Sequence, residues 1–109
     1  MEIEITRTQA PRTKVASDQL GFGKYFADHQ FLMDYVNGRW ERPRIEPYGP
    51  LTLEPGACVL HYSQCLFEGQ KAFRGKDGKI RLFRPRFHAQ RMAKGVVRLC
   101  MPSVPEEIF

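Results

Sequence analysis

Hydrophobic positions are concentrated in a few short runs, and the first is Phe31-Leu32-Met33-Asp34-Tyr35-Val36. The run is rich in aromatic and β-branched residues and ends in Asn37-Gly38, a pair that accepts positive φ at both turn positions. This pattern predicts a β-hairpin whose return strand begins at Trp40. Four prolines then predict an irregular segment in which strand pairing is brief: Pro43, Pro47, Pro50 and Pro55.

A second apolar stretch lies between residues 58 and 67, where the spacing of apolar positions favours a short helix or turn over a strand. Gly69 ends this stretch. Residues 70–74 and 79–84 then predict a second hairpin around Gly75-Lys76-Asp77-Gly78, with alternating apolar and basic positions on its return strand.

The longest periodic stretch follows Pro85, which suits the first turn of a helix because its missing N–H costs nothing there. Pro102 marks its end, so a helix is predicted from Pro85 to about Cys100. Gly95 lies inside it at a cost of ~1 kcal/mol relative to alanine, which indicates a close packing contact. One buried stripe with helical spacing is predicted: Ala89, Met92, Ala93, Val96, Leu99 and Cys100.

These elements predict an α+β fold, a small domain of antiparallel hairpins with a long helix packed on one face. Residues 1–20 have no clear period and are interpreted as an extended arm, and residues 21–109 as one small, incomplete domain. Ser103-Val104-Pro105-Glu106 has the form of a capping box, which predicts a helix starting at Val104 or Pro105. Because such a helix would hold barely one turn before Phe109, we expect the chain to be part of a longer protein.

Composition narrows the class of protein. Hydrophobic residues make up 42% and charged residues 27% of the 109 positions, which is ordinary for a globular domain. No apolar run approaches the roughly 20 residues that a membrane helix needs, and the first residues resemble no secretory or transit signal. Three cysteines cannot all pair within one chain, so we expect reduced thiols and a cytoplasmic location.

The net charge of +5 leaves a basic nucleic-acid-binding domain open as an alternative. Most of the eleven arginines stand at scattered positions and not in blocks. This distribution favours a solvated surface with one or two phosphate or carboxylate ligands, and we expect no nucleic-acid partner.

A zinc site is a second alternative, because Cys58, His61 and Cys65 have the spacing C-x2-H-x3-C. Cys100 or His88 would complete four ligands. No second close pair of ligands accompanies this motif, so we expect no metal.

Several motifs in a fixed order resemble the first domain of the branched-chain amino acid aminotransferases, pyridoxal-phosphate enzymes of fold type IV. The densest match runs from Leu60-His61-Tyr62 through Phe67-Glu68-Gly69 and Phe83-Arg84-Pro85 to Arg91-Met92. It extends from Gly21-Phe22-Gly23-Lys24 to the end of the chain.

The resemblance implies roles for four residues. Arg91 stands where these enzymes hold the phosphate of pyridoxal 5'-phosphate. Phe22, Tyr62 and Phe67 correspond to aromatics that line the pocket for the substrate's branched side chain, the tyrosine reaching in from a neighbouring subunit. Spacing alone would favour a solvated helix arginine at Arg91 and core positions for Tyr62 and Phe67.

The resemblance also implies transfer of the amino group of leucine, isoleucine or valine to 2-oxoglutarate, in amino-acid biosynthesis, by a homodimer or larger homo-oligomer. The lysine that forms a Schiff base with the cofactor belongs to a second domain in these enzymes. No catalytic residue is therefore expected in this chain, and the chain alone is expected to be inactive. Two other enzymes of the fold type stay open as alternatives: D-amino acid aminotransferase and aminodeoxychorismate lyase.

Overall fold

The computed structural model describes all residues from Met1 to Phe109. The chain forms two compact units, Met1–Thr52 and Leu53–Phe109, which are described separately. Both units combine short strands with helical segments, and the predicted α+β class is confirmed.

The first unit is built on an antiparallel hairpin of β2 (His29–Val36) and β3 (Arg39–Pro47). Asn37 and Gly38 form the turn with φ values of +50° and +83°, as the sequence pattern requires. Tyr35 and Trp40 face each other across the strands with ring centroids 5.1 Å apart. The first predicted hairpin is confirmed.

The prediction that Pro43 begins an irregular segment is wrong, because β3 continues through it to Pro47. The register shifts between Leu32 and Asp34, so that one residue of β2 faces two residues of β3. Arg42 adopts φ +53° at this bulge, and the buried Pro43 beside it needs no N–H for the ladder. The bulge therefore accommodates proline within a paired strand.

The segment predicted as an extended arm contains a two-residue strand, β1 (Glu4–Ile5), and a short 3-10 helix, Ser17–Gln19. β1 pairs in parallel with β3, which gives the sheet order β1-β3-β2. Two side chains at the start of β2 also bind this segment. The Thr8 N–H donates to His29 Nε2 at 3.0 Å, and the Arg12 N–H donates to Asp28 Oδ1 at 2.8 Å.

The second unit begins with a single-turn helix, α1 (Cys58–His61), in the stretch where a short helix or turn was predicted. The second predicted hairpin is also confirmed, with strands shorter than expected: β4 (Ala72–Arg74) pairs antiparallel with β5 (Ile80–Leu82). Both Asp77 carboxylate oxygens accept hydrogen bonds from the guanidinium of Arg81 at 2.7 Å beside the turn.

The predicted long helix is α2 (Pro85–Arg98), with Pro85 in its first turn. Its stripe includes the two buried residues Ala89 and Val96, whereas Cys100, which was placed on the same stripe, is exposed. The helix packs against the segment 64–68. Gln64 Nε2 donates to the Leu99 carbonyl at 2.7 Å, and Leu66 lies against Gly95, the close contact that the glycine indicated.

The predicted helix after the capping box is a single turn, in which the Ile108 N–H donates to the Pro105 carbonyl at 3.0 Å. Neither this turn nor any helix of the chain has the length and apolar character that crossing a membrane requires.

Candidate functional site

The second unit contains a nearly buried carboxylate, Glu68, whose side chain is 4% exposed. It lies in the segment between α1 and β4, between Phe67 and Gly69. A carboxylate removed from water requires charged or hydrogen-bonding partners. Both of its oxygens have them, and the partners come from α2.

Arg91 is the first partner and approaches Glu68 along one edge of its guanidinium. Its Nε donates to Glu68 Oε2 at 2.7 Å, and its Nη2 donates to Oε1. Nη1 makes no hydrogen bond within the chain, and the Arg91 side chain is 57% exposed. One edge of the guanidinium is therefore bound to the protein, and the edge that carries Nη1 remains accessible.

His88 is the second partner, one helical turn before Arg91 and on the same side of α2. Its Nδ1 lies 2.8 Å from Glu68 Oε1. Phe87 also supports the arginine, because the guanidinium carbon of Arg91 lies 5.9 Å from the centroid of its ring.

The hydrogen bonds from Arg91 and then from His88 lower the pKa of Glu68 from 4.5 to about 2. Glu68 in turn raises the pKa of Arg91 above its usual value. The carboxylate is therefore ionised throughout the neutral range. Because an ionised carboxylate only accepts hydrogen bonds, Nδ1 of His88 is the donor in its contact with Glu68.

Glu68 and Arg91 line a cleft of about 330 Å³, and so does Phe67, whose side chain is 87% exposed. The structure thus brings together the residue predicted to hold the phosphate and one residue predicted to contact the substrate. The complete lining is Leu66, Phe67, Glu68, Gly69, Arg91, Met92 and Gly95.

The other two predicted pocket residues are not among those that line this cleft. Tyr62 is 82% exposed and lines a separate cleft of about 360 Å³ with Cys58, Ser63, Gln64 and Leu99. Phe22 belongs to the first unit and is 98% exposed, between Gly21 and Gly23, which both have positive φ. Their roles stay predictions.

The zinc alternative finds no support in the geometry. The structure brings no three His, Cys, Asp or Glu side chains together in a way that could hold a metal ion. All three cysteines are free and exposed, and His61 Nε2 lies 2.6 Å from the Pro55 carbonyl oxygen.

Sequence reasoning missed the parts that Glu68 and His88 play in this cluster. Glu68 was noted only within the Phe-Glu-Gly motif, and His88 only as a candidate zinc ligand. The one local signal was an acid flanked by a large aromatic and a glycine in an apolar stretch. Its contact with Arg91, 23 residues away, depends on the tertiary structure.

The α+β unit thus holds an arginine that is fixed by a nearly buried carboxylate and has a second guanidinium edge accessible, and such an edge carries the paired N–H donors that an oxyanion can accept from. No protein-family model matches the chain. The chain is 46% identical over 107 residues to branched-chain-amino-acid transaminase 1 of Bacillus subtilis, covering 97% of this chain and 30% of that protein.

Two further relatives lie in other groups of organisms. The branched-chain-amino-acid aminotransferase of Mycolicibacterium smegmatis is 41% identical over 100% of this chain and 31% of its own length. The mitochondrial branched-chain-amino-acid aminotransferase of Bos taurus is 44% identical over 94% of this chain and 26% of its own. By sequence, the chain belongs to the branched-chain amino acid aminotransferase family, and it spans less than a third of the length of these curated relatives.

Proposed function

We propose that the whole protein is a pyridoxal-phosphate-dependent aminotransferase that transfers the amino group of leucine, isoleucine or valine to 2-oxoglutarate. The observation that carries this proposal is the 40–46% identity to branched-chain aminotransferases across almost the entire chain. The comparisons do not favour a nucleic-acid-binding domain or the other fold type IV enzymes.

The donor set around Arg91 fits a phosphate group. The guanidinium is exposed enough to reach a ligand, and its Nη1 edge offers parallel N–H donors that match phosphate oxygens. Pyridoxal phosphate, when bound, supplies an electron sink for breaking the Cα–H bond of an amino acid. The role of this chain would be to bind and orient the cofactor's phosphate through Arg91.

The substrate's branched side chain would be bound by aromatic residues. Phe67 supports this assignment because it lines the same cleft as Arg91, and its ring is accessible to a ligand. Tyr62 and Phe22 are proposed for the same pocket on the family resemblance. Aromatic walls supply large apolar area with few rotamers, which suits an aliphatic ligand.

We further propose that the whole protein is a cytoplasmic homodimer or larger homo-oligomer. The three unpaired cysteines support a reducing compartment. Exposed aromatic side chains at Tyr62, Phe67 and Phe83 support an assembly in which part of this apolar surface is covered.

The test is an amino-transfer assay on the purified whole protein. We expect leucine and 2-oxoglutarate to give glutamate and 4-methyl-2-oxopentanoate, with isoleucine and valine also accepted and D-leucine rejected. Turnover of D-amino acids alone, or tight and steeply salt-dependent DNA or RNA binding without amino transfer, would overturn the proposal.

The 109-residue chain alone provides a second test, since none of its six lysines is predicted to hold the cofactor. We expect no amino transfer by this chain. Turnover that survives substitution of each lysine in turn would contradict this expectation.

A further inference from the structure

The ion pair between Glu68 and Arg91 leaves one edge of the Arg91 guanidinium available to a ligand. A guanidinium has two edges that can bind an oxyanion in a bidentate manner, one through Nε and Nη2 and the other through Nη1 and Nη2. Glu68 occupies the first edge, and nothing in the chain occupies Nη1. The buried carboxylate therefore determines which edge of Arg91 meets a ligand.

Glu68 is itself fixed in place. Its side chain is nearly buried, and His88 binds Oε1 from a neighbouring position on α2. Without the Glu68 carboxylate, Arg91 would be a long and largely exposed side chain that samples many rotamers. Ordering those rotamers on binding would reduce affinity for an anion.

We propose that Glu68, held by His88, is a positioning residue that presents the Nη1 edge of Arg91 to a phosphate group. This inference rests on the proposed function, in which Arg91 binds the phosphate of pyridoxal phosphate. It extends the site to two residues that would act through Arg91: Glu68 orients the arginine, and His88 orients Glu68.

One electrostatic effect opposes this role, because a carboxylate near a phosphate repels it. The repulsion is weakened since the guanidinium lies between the two anions and is largely exposed to solvent. The orienting contact is direct and bidentate, and a glutamine at position 68 cannot reproduce it. Its amide oxygen would replace only one of the two carboxylate oxygens, and its amide N–H groups would face an N–H donor of Arg91 or His88.

The experiment compares two probes in the whole protein freed of cofactor: pyridoxamine 5'-phosphate and pyridoxamine, which differ only in the phosphate. Calorimetry gives the ratio of their affinities, the phosphate preference, for wild type, Glu68→Gln, Arg91→Ala and the double variant. A general loss of folding lowers both affinities alike and cancels in the ratio. Glu68→Asp, which keeps the charge but shortens the side chain, is a second variant in case Glu68→Gln folds poorly.

Asp77→Asn is the matched control, because Asp77 also binds an arginine, Arg81, through both carboxylate oxygens. We expect Glu68→Gln to lower the phosphate preference about tenfold and Asp77→Asn to leave it unchanged. Arg91→Ala should lower it by about 30-fold or more. Glu68→Gln should have no further effect in the Arg91→Ala background, since the carboxylate acts through the arginine.

The outcomes separate the two proposals. If Arg91→Ala leaves the phosphate preference unchanged, the proposed cofactor site is wrong, and the positioning role is wrong with it. If Arg91→Ala lowers the preference but Glu68→Gln and Glu68→Asp leave it unchanged or raise it, the cofactor site stands and the positioning role is overturned.

Discussion

Leu66 lies so close to Gly95 that a Cβ atom on Gly95 would be 2.9 Å from Leu66 Cδ1 and 3.0 Å from Leu66 Cδ2. Both methyl groups of the leucine face the position, so a Cβ atom there would require the Leu66 side chain or the backbone to shift. The absence of a side chain at residue 95 is what allows the segment 64–68 to approach α2 and places Glu68 beside Arg91.

Gly95→Ala is therefore expected to destabilise the protein by about 1 kcal/mol. Overpacking costs roughly 1–3 kcal/mol, and the better helix propensity of alanine returns ~1 kcal/mol. In a Leu66→Ala background the same substitution should be stabilising, because the clash is gone. Urea denaturation of the four proteins gives the coupling between the two positions, and additive effects would contradict this packing.

The turn of the first hairpin gives a second prediction. Gly38→Ala should destabilise the first unit by roughly 1–2 kcal/mol, because φ at Gly38 is +83° and alanine rarely adopts that conformation. Gly49→Ala is the control in the same unit, since its nearest contact would be an ordinary 3.9 Å from the Pro47 carbonyl and its φ is not positive. Equal effects of the two substitutions on the denaturation midpoint would argue against the turn geometry.

The Glu68 cluster predicts a dependence of stability on pH. Because the folded pKa of Glu68 is lowered from 4.5 to about 2, its contribution is fully present above pH 4.5 and is lost as the pH falls toward 2. In Glu68→Gln, the free energy of unfolding should therefore fall less steeply between pH 4.5 and 2 than in the wild type, as measured by denaturation at a series of pH values. Glu107→Gln, at an exposed carboxylate, is the control, and an unchanged slope in Glu68→Gln would contradict the assignment.

The sequence predicted the elements of this fold that depend on neighbouring residues, such as the first hairpin and the start of α2. Asn37-Gly38 predicted a hairpin because few pairs of residues accept positive φ at both positions of a turn. Pro85 predicted the start of α2 because a helix tolerates proline in its first turn. The sequence did not predict that β3 continues through Pro43. It depends on the bulge at Arg42, which only the pairing with β2 reveals.

The features that the sequence did not predict depend on contacts between positions far apart in the chain. The strand Glu4–Ile5 is only two residues long and pairs with residues 40 positions later, so no local periodicity marks it. In the candidate site, Arg91 and Phe67 were identified by resemblance, and the structure places both at one cleft. Glu68 and His88 were missed because the charge that stabilises the buried carboxylate comes from another element.

Phe67 provides a prediction about substrate specificity in the whole protein. Because its ring is largely exposed in this unit, Phe67→Ala should cost little stability, so a change in kcat/KM reports on the pocket. We expect kcat/KM for leucine to fall about tenfold or more through the loss of apolar contact. Phe73→Ala, at another exposed aromatic of the same unit, is the control. Equal effects of the two variants would remove Phe67 from the proposed pocket.

The most direct test of the central claim is whether Arg91 retains the cofactor of the whole protein. Arg91→Ala, Arg86→Ala and Arg98→Ala remove the same charge from the same helix, but only Arg91 is held by Glu68 at the cleft. After dialysis against leucine, the absorbance of bound cofactor should fall far more in Arg91→Ala, reflecting an affinity loss of about 30-fold to 1,000-fold. Retention equal to that of the two control variants would show that Arg91 is an ordinary surface arginine and would contradict the account.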